Sequence, residues 1–266
     1  MFIIEFLIAN LDFILAGAGV GLVVGITGVG GGALMTPILI LFGIPHKIAI
    51  GTDLIYAAIT KGSGMVSHAR QGHVKWSVVA KLSAGSIPGA LLTFIFLKRF
   101  EDVDYTHILT QALGIMLVIT ALVLFFRPHL KQLSVKQKLS PRAQLILTVA
   151  LGLFVGSFVT LSSVGAGALG TAILMVLFPI LLPKEVVGTD IAHAVPLTFI
   201  AGMFHYSLGN VDWYLLISLI IGSIPMVMLG AKLSTRIPSK IMHPFLASLL
   251  MILGVIYALD IDLHNL

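Results

Sequence analysis

Long apolar stretches separated by short polar loops are the feature that most constrains this chain. Thr110–Phe126 and its neighbours belong to hydrophobic runs of roughly 20 residues, the length that crosses about 30 Å of hydrocarbon as a helix. Only 10% of the residues are charged, whereas about one quarter are charged in a soluble domain. The sequence therefore predicts an all-α polytopic membrane protein that is embedded in the lipid bilayer.

Ten apolar segments can be delimited along the chain. The second, third and seventh are short or interrupted by Gly and Pro, and an alternative count of eight full spans treats two of the ten as re-entrant half-helices. The first dozen residues contain Glu5 and Asp12 but no Lys or Arg, so the first span is expected to be retained rather than cleaved as a signal peptide. The approximate boundaries are 8–28, 31–43, 48–66, 76–97, 107–126, 143–160, 165–182, 186–206, 212–231 and 242–260.

The chain repeats itself at an offset of 137 residues. Apolar composition alone would produce scattered Leu and Val matches. It would not align His, Trp, Asp and a four-residue Gly-Ser-Ile-Pro block in one register. The sequence therefore predicts a duplication. The matching elements are Gly51–Asp53 with Gly188–Asp190, His68 with His205, Trp76 with Trp213, and Gly85–Pro88 with Gly222–Pro225.

Basic loops predict the orientation of the two halves. The longest polar loop, residues 127–142, carries five Lys or Arg residues and no acidic residue, which predicts a cytoplasmic position. The division is then a first repeat over 1–126, this cytoplasmic loop, and a second repeat over 143–266, all in one membrane domain. Five segments in each repeat is an odd number, so the second repeat is expected to be inverted and both termini external. Inverted repeats are a recurring design of secondary transporters, which bind substrate at the repeat interface near the midplane.

Glycine clusters between the first and second segments of each repeat predict breaks in the membrane helices. Unwound backbone at membrane depth survives only where it is buried in protein or lines a wet cavity, and a helix beginning there favours anions. Close helix packing through small residues is the alternative, and it is the preferred interpretation for Gly17, Gly21 and Gly25. The candidate substrate residues of the two breaks are Thr27, Gly28, Gly30, Gly31 and Gly32 in the first repeat, and Ser162, Ser163, Gly165 and Gly167 in the second.

The repeated Gly-Thr-Asp element carries two interpretations. Thr52 and Thr189 are typical helix N-caps, with Asp53 and Asp190 in the first turn. Alternatively, the carboxylates are ion-coupling groups, because ionisable side chains inside a membrane are costly and usually functional. The hydroxyl groups of the two threonines are candidate substrate contacts under either interpretation.

Two further polar side chains lie deep in apolar segments. Lys61 must face a cavity, pair with an acid or extend to the membrane surface, and it is a candidate for attracting an anion. His193 shares a helix face with Asp190 and is a candidate pathway residue. These groups are too few for a metal site, and no cofactor is expected. The absence of Cys, H-E-x-x-H and G-x-S-x-G from the sequence argues against an enzyme.

The motifs together resemble the sulfite exporter TauE/SafE family of membrane permeases. The resemblance rests on the small-residue helix that leads into Gly28–Pro37, on Gly-Thr-Asp, on His68 and Gly72 followed by Trp76, and on Gly-Ser-Ile-Pro. It covers nearly the whole chain, although the second repeat departs from it with Ser162–Gly167. The resemblance implies secondary transport of small sulfur-containing anions such as sulfite and organosulfonates.

The leading hypothesis is therefore an exporter of small anions that works by alternating access in a plasma membrane or cell inner membrane. The sequence carries no ATP-binding motif, so the energy is expected to come from an ion gradient, with a proton or Na⁺ as the coupling ion, or from the solute's own gradient. A channel for anions or small solutes is the alternative, and a scaffold subunit would leave the polar breaks unexplained. The net charge of +5 comes from the loops and is a topology signal, so no nucleic-acid partner is expected.

Overall fold

The computed structural model describes residues 2–27, 32–100, 102–134, 139–233 and 239–260. Every regular element in these ranges is an α-helix, which confirms the predicted fold class. The helices are α1 (Phe2–Ala9), α2 (Leu11–Thr27), α3 (Gly32–Leu41), α4 (His46–Arg70), α5 (Trp76–Arg99), α6 (Thr106–Ser134), α7 (Pro141–Ser162), α8 (Ala168–Leu177), α9 (Pro183–Ser207), α10 (Trp213–Leu233) and α11 (Ser239–Ala258).

The ten predicted segments correspond to α2 through α11, and α1 is an additional short helix. In the described ranges, α5, α7, α9, α10 and the Thr106–Arg127 part of α6 are long and apolar enough to cross a membrane. The second and seventh segments are indeed short, since α3 and α8 have 10 residues each. The suspicion that the third segment is interrupted was wrong, because α4 is one helix of 25 residues. Helix α6 continues to Ser134, so the first residues of the predicted basic loop are helical.

The equivalent helices α4 and α9 run antiparallel to each other. Gly51 near the start of α4 packs against His205 near the end of α9, and Gly188 near the start of α9 packs against His68 near the end of α4. The two contacts are equivalent, because the repeat partners of the two residues in one contact are the two residues of the other. The repeats are therefore related by a two-fold operation that reverses the helix direction, as expected for inverted repeats.

The last helices of the repeats, α6 and α11, show the same relation. Gly114 in α6 approaches Ala258 at the end of α11, while Gly254 in α11 approaches Val118 further along α6. The two helices therefore run in opposite directions although they occupy equivalent positions. A two-fold axis along the membrane normal would keep equivalent helices parallel, so the axis lies across the helices.

The first helix of each repeat packs along the fourth helix of the other. The small-residue packing predicted for α2 is confirmed, since Gly17, Gly21 and Gly25 each meet backbone atoms of α10. Gly152 and Gly156 of α7 meet the backbone of α5 in the same way. Both helix pairs are parallel and join opposite repeats, so the repeats interlock and do not form separate bodies.

Gly156→Ala should destabilise the protein by about 1–3 kcal/mol, because the added methyl group would enter the backbone of Ser86 where two helices are in contact. Gly19→Ala on α2 is the matched control, since no atom lies within 4 Å of its added methyl group. Thermal melting of the purified variants measures the difference. Equal melting temperatures for the two variants would contradict the close contact of α5 with α7.

Candidate substrate and ion site

The predicted helix break of the second repeat is present. Helix α7 ends at Ser162 and α8 begins at Ala168. The chain between them turns through left-handed conformations at Ser163 (φ 59°), Gly165 (φ 111°) and Gly167 (φ 153°). The glycines make this path accessible, because a side chain at such φ values is strained. In the first repeat, Gly28, Gly30 and Gly31 lie outside the described residues.

The two ends of the first-repeat break are described. Helix α2 ends at Thr27, whose hydroxyl group donates to the carbonyl of Val23 at 2.8 Å. Helix α3 begins at Gly32. The predicted break of this repeat lies between the described ends of these two helices, outside the described residues.

The break of the second repeat lies inside the membrane rather than at its surface. Helix α8 has 10 residues and is about 15 Å long, half the thickness of the hydrocarbon. Its end is fixed near the start of α7, where the Gln144 side-chain amide donates to the carbonyl of Leu177. The first N–H groups of α8 have no helical partner, and with the helix dipole they favour an anion at the break.

Lys61 brings a positive charge from the first repeat to this break. Its Nζ donates to the carbonyl of Ala166 at 2.5 Å, across 105 residues of sequence. Lys61 is partly buried and lies well inside α4. The sequence left a cavity-facing, acid-paired or surface-seeking lysine open, and in the structure the ammonium donates to the unwound backbone of the other repeat.

The two predicted carboxylates are buried but differ in their surroundings. Asp53 is 0% exposed, and Thr36 Oγ1 donates to its Oδ2 at 2.6 Å. Asp190 is 4% exposed and interacts electrostatically with both Lys61 and Arg127. An added methyl group at Gly170 of α8 would overlap Asp190 Oδ1, so this carboxylate lies directly against α8.

His193 lies beside Lys61 at this interface between the repeats. Its Nε2 is 2.8 Å from Ser86 Oγ of α5, and its side chain is 1% exposed. The ammonium of Lys61 is close enough to interact with the imidazole electrostatically. No group of three or more potential metal-ligating side chains occurs among the residues that were located.

The N-cap interpretation of Thr52 and Thr189 is wrong. Both residues lie in the second turn of long helices that begin earlier, at His46 and Pro183. Thr52 Oγ1 accepts the N–H of Asp212 at 3.1 Å, and Thr189 Oγ1 accepts the N–H of Lys75 at 3.0 Å. Each threonine therefore holds a loop of the opposite repeat.

Three polar residues near the site escaped the sequence analysis. Thr36 follows the glycine cluster in α3, and Ser86 was noticed only as part of a repeated block. Arg127 was assigned to the basic loop, but the structure places it in α6 within electrostatic reach of Asp190. The recurrence of Ser86 as Ser223 was the available signal, because Ser86 Oγ lies 2.8 Å from His193 Nε2 and Ser223 lies near Tyr56, the repeat equivalent of His193.

Comparison with known proteins agrees with this architecture. A sequence model described as Sulfite exporter TauE/SafE matches residues 13–257. The chain belongs to the TauE/SafE family. The motif-based resemblance is thereby confirmed, and the match runs from α2 to α11, including both helix breaks.

Relatives of this TauE/SafE protein carry transporter names. The chain is 39% identical over 256 residues to the "Probable membrane transporter protein YjnA" of Bacillus subtilis, covering 92% of this chain and 98% of the relative. A "Probable membrane transporter protein" of Methanocaldococcus jannaschii is 29% identical, with 94% and 96% covered. No solved structure matches the chain. The family and its relatives point to a multi-pass membrane transporter rather than an enzyme.

Proposed function

We propose that this protein is a secondary transporter that exports small sulfur-containing anions, such as sulfite or organosulfonates, by alternating access. The family description supplies the substrate class. The observation that carries the proposal is the contact of Lys61 with the carbonyl of Ala166. It joins a cation of one repeat to the helix break of the other, where the N-terminus of α8 also favours negative charge.

A bound anion at this position would contact both repeats at once. The substrate ligands would be the ammonium of Lys61, the backbone N–H groups of the two helix breaks and the hydroxyl group of Ser163. Ser162 donates its hydroxyl hydrogen to the carbonyl of Phe158 at 2.7 Å and would have to release this bond to contact the anion. The imidazole of His193 would line the same space. Thr52 and Thr189 would act by holding loops of the opposite repeat against α4 and α9.

The inverted arrangement supports alternating access. Asp53 and Asp190 each lie seven residues from the start of their helices, about 11 Å along the axis. Because α4 and α9 are antiparallel, the two carboxylates are nearer to opposite membrane faces. A proton or Na⁺ bound at one of them would couple transport to an ion gradient.

One end of the protein carries an ion pair without an equivalent at the other end. Lys75 Nζ lies 2.7 Å from Glu185 Oε1, whereas the repeat partners of these residues are Asp212 and Ile48. Breaking this ion pair would favour opening of the transporter at the end that carries the pair, and not at the opposite end. We assign that end to the cytoplasm, from the basic loops, with both termini external and the protein in a plasma membrane or cell inner membrane.

Transport by purified protein in proteoliposomes tests the proposal. Sulfite uptake should saturate with concentration, depend on an imposed ion gradient and be inhibited by a short alkanesulfonate but not by acetate. Conductance that does not saturate, seen as single-channel currents in planar bilayers, would indicate an anion channel. Absence of any sulfite or sulfonate flux would contradict the substrate class.

A further inference from the structure

We propose that the coupling ion is Na⁺ and that it binds between Asp53 of α4 and the unwound end of α7 at Ser163. This inference rests on the proposed transporter function and assigns its coupling ion to one of the two candidate carboxylates. It moves the Ser163 hydroxyl group from the anion ligands to a cation site at the C-terminal end of α7, next to the anion site at the N-terminal end of α8. Both sites lie on one helix break and both include residues of the two repeats.

Two buried oxygen atoms without partners mark the cation site. Among the residues that the structure describes, Asp53 Oδ1 and Ser163 Oγ accept and donate no hydrogen bond. Their side chains are 0% and 3% exposed. The Ser163 hydroxyl group faces the Asp53 carboxylate without closing a hydrogen bond to it. Leaving buried polar atoms unpaired is unfavourable, so two such oxygens that face each other indicate a ligand.

The end of α7 adds further negative charge to this position. The carbonyl groups of Val159 and Thr160 already accept hydrogen bonds, from the Ser163 N–H and the His205 imidazole. Those of Leu161 and Ser162 lie at the helix end, where carbonyl groups have no helical partner and the dipole is negative. Ser163 takes the left-handed conformation at the C-cap of α7, with φ 59°. Helix C-terminal ends and unwound carbonyl groups are the features that hold Na⁺ or a proton in transporters with discontinuous helices.

Asp53 has no cationic side chain to neutralise it at close range. No Lys, Arg or His nitrogen of the described side chains lies within 4.0 Å of its carboxylate. Lys61 lies eight residues along the same helix, about 12 Å in axial rise, and it donates to Ala166. Asp53 also interacts electrostatically with Lys61, whereas Asp190, whose Oδ1 is likewise unpaired, interacts with both Lys61 and Arg127. Asp190 therefore has one more cationic neighbour than Asp53, and Asp53, which also faces the unpaired Ser163 hydroxyl group, is the better candidate for a free cation.

A metal cation fits this position better than a proton. Thr36 donates its hydroxyl hydrogen to Asp53 Oδ2 at 2.6 Å, a bond that favours the ionised carboxylate. Protonation of Oδ1 would satisfy only the contact with Ser163 and would leave the negative end of α7 uncompensated. Na⁺ would be coordinated by the carboxylate, the hydroxyl oxygen and carbonyl oxygens at the same time.

Thermal melting of the purified full-length protein in detergent tests the site without any anion substrate. NaCl is titrated against KCl and choline chloride at constant pH and ionic strength. Wild-type protein should show a saturable rise in Tm with Na⁺ alone, because a ligand that binds the folded state stabilises it. Asp53→Asn should abolish this rise, and the matched variant Asp190→Asn should retain it.

Ser163→Ala provides a second variant should Asp53→Asn not fold. It should raise the half-saturating Na⁺ concentration by about tenfold, a typical loss for a weakened metal site. Equal effects of K⁺ or choline, a Tm that responds to pH but not to Na⁺, or loss of the Na⁺ effect in Asp190→Asn alone would each overturn the proposal. A Na⁺ effect that requires Asp53, found together with no flux of sulfite or sulfonate, would leave this site standing and refute the proposed substrate class instead.

Discussion

Replacing Lys61 by Met should lower anion transport by at least about tenfold, because the lost charge-assisted hydrogen bonds are worth about 1.5–3 kcal/mol each. Met preserves the length and apolar stem of the side chain, so the change removes mainly the ammonium. Without it, the carbonyl of Ala166 loses its donor and the anion loses the only cation contributed by α4 at the break. Initial rates of sulfite uptake into proteoliposomes measure the effect.

Lys81→Met is the matched control for Lys61→Met. Lys81 is a partly buried lysine in α5, and we predict that it extends to the membrane surface and takes no part in binding. Its replacement should leave uptake within about twofold of wild type, as expected for a surface position. Lys61→Arg should restore part of the activity, because it returns the charge with a different geometry. Unchanged flux in Lys61→Met would remove Lys61 from the anion site.

The break at Ser163–Gly167 and the lysine that reaches it illustrate what the sequence predicts. A run of Gly and Ser at membrane depth predicts unwound backbone, and a lysine in an apolar segment predicts a polar environment. Neither pattern specifies that the two meet across 105 residues. That contact depends on how the repeats interlock, and pairing between distant helices is set by tertiary packing that leaves no local periodicity.

The wrong N-cap interpretation has a local cause. Thr52 and Thr189 have the residue type of a cap, but α4 and α9 begin six residues earlier, next to Pro45 and at Pro183. Proline at a helix start is a strong signal because its missing N–H is not needed there. The Gly-Thr-Asp element was assigned to a helix start because Thr is a typical N-cap residue and Asp is favoured in the first turn. Burying these carboxylates is unfavourable. Thr36 stabilises the carboxylate of Asp53 by a hydrogen bond, and Lys61 and Arg127 stabilise that of Asp190 electrostatically.

Duplication itself concealed the functional difference between the repeats. Sequence matching at equivalent positions favours equivalent roles for Asp53 and Asp190, yet their neighbours are not equivalent. Lys61 has Thr198 as its repeat partner, and His193 has Tyr56. The second repeat therefore supplies the imidazole and the first supplies the ammonium, so a symmetric backbone carries an asymmetric site. Only the residues that break the repeat distinguish the proposed cation site from the proposed anion site.

Gly170→Ala should strongly impair the protein, because the added methyl group would overlap Asp190 Oδ1. The carboxylate would have to move away from α8 and change its distance from Lys61 and Arg127. We expect a loss of about 1–3 kcal/mol of stability from overpacking and a marked fall in sulfite uptake. Gly62→Ala, one residue from Lys61, is the control, since no atom lies within 4 Å of its added methyl group.

A double-mutant cycle separates this clash from a general effect of alanine on α8. Asp190→Ala removes the atoms that the new methyl group would strike, so Gly170→Ala should cost little stability in that background. Residues in direct contact show coupling energies of about 0.5–3 kcal/mol in such cycles. Additive melting shifts would contradict the contact between Gly170 and Asp190. Strong coupling together with unimpaired uptake in Gly170→Ala would mean that the position of Asp190 supports the fold and takes no part in transport.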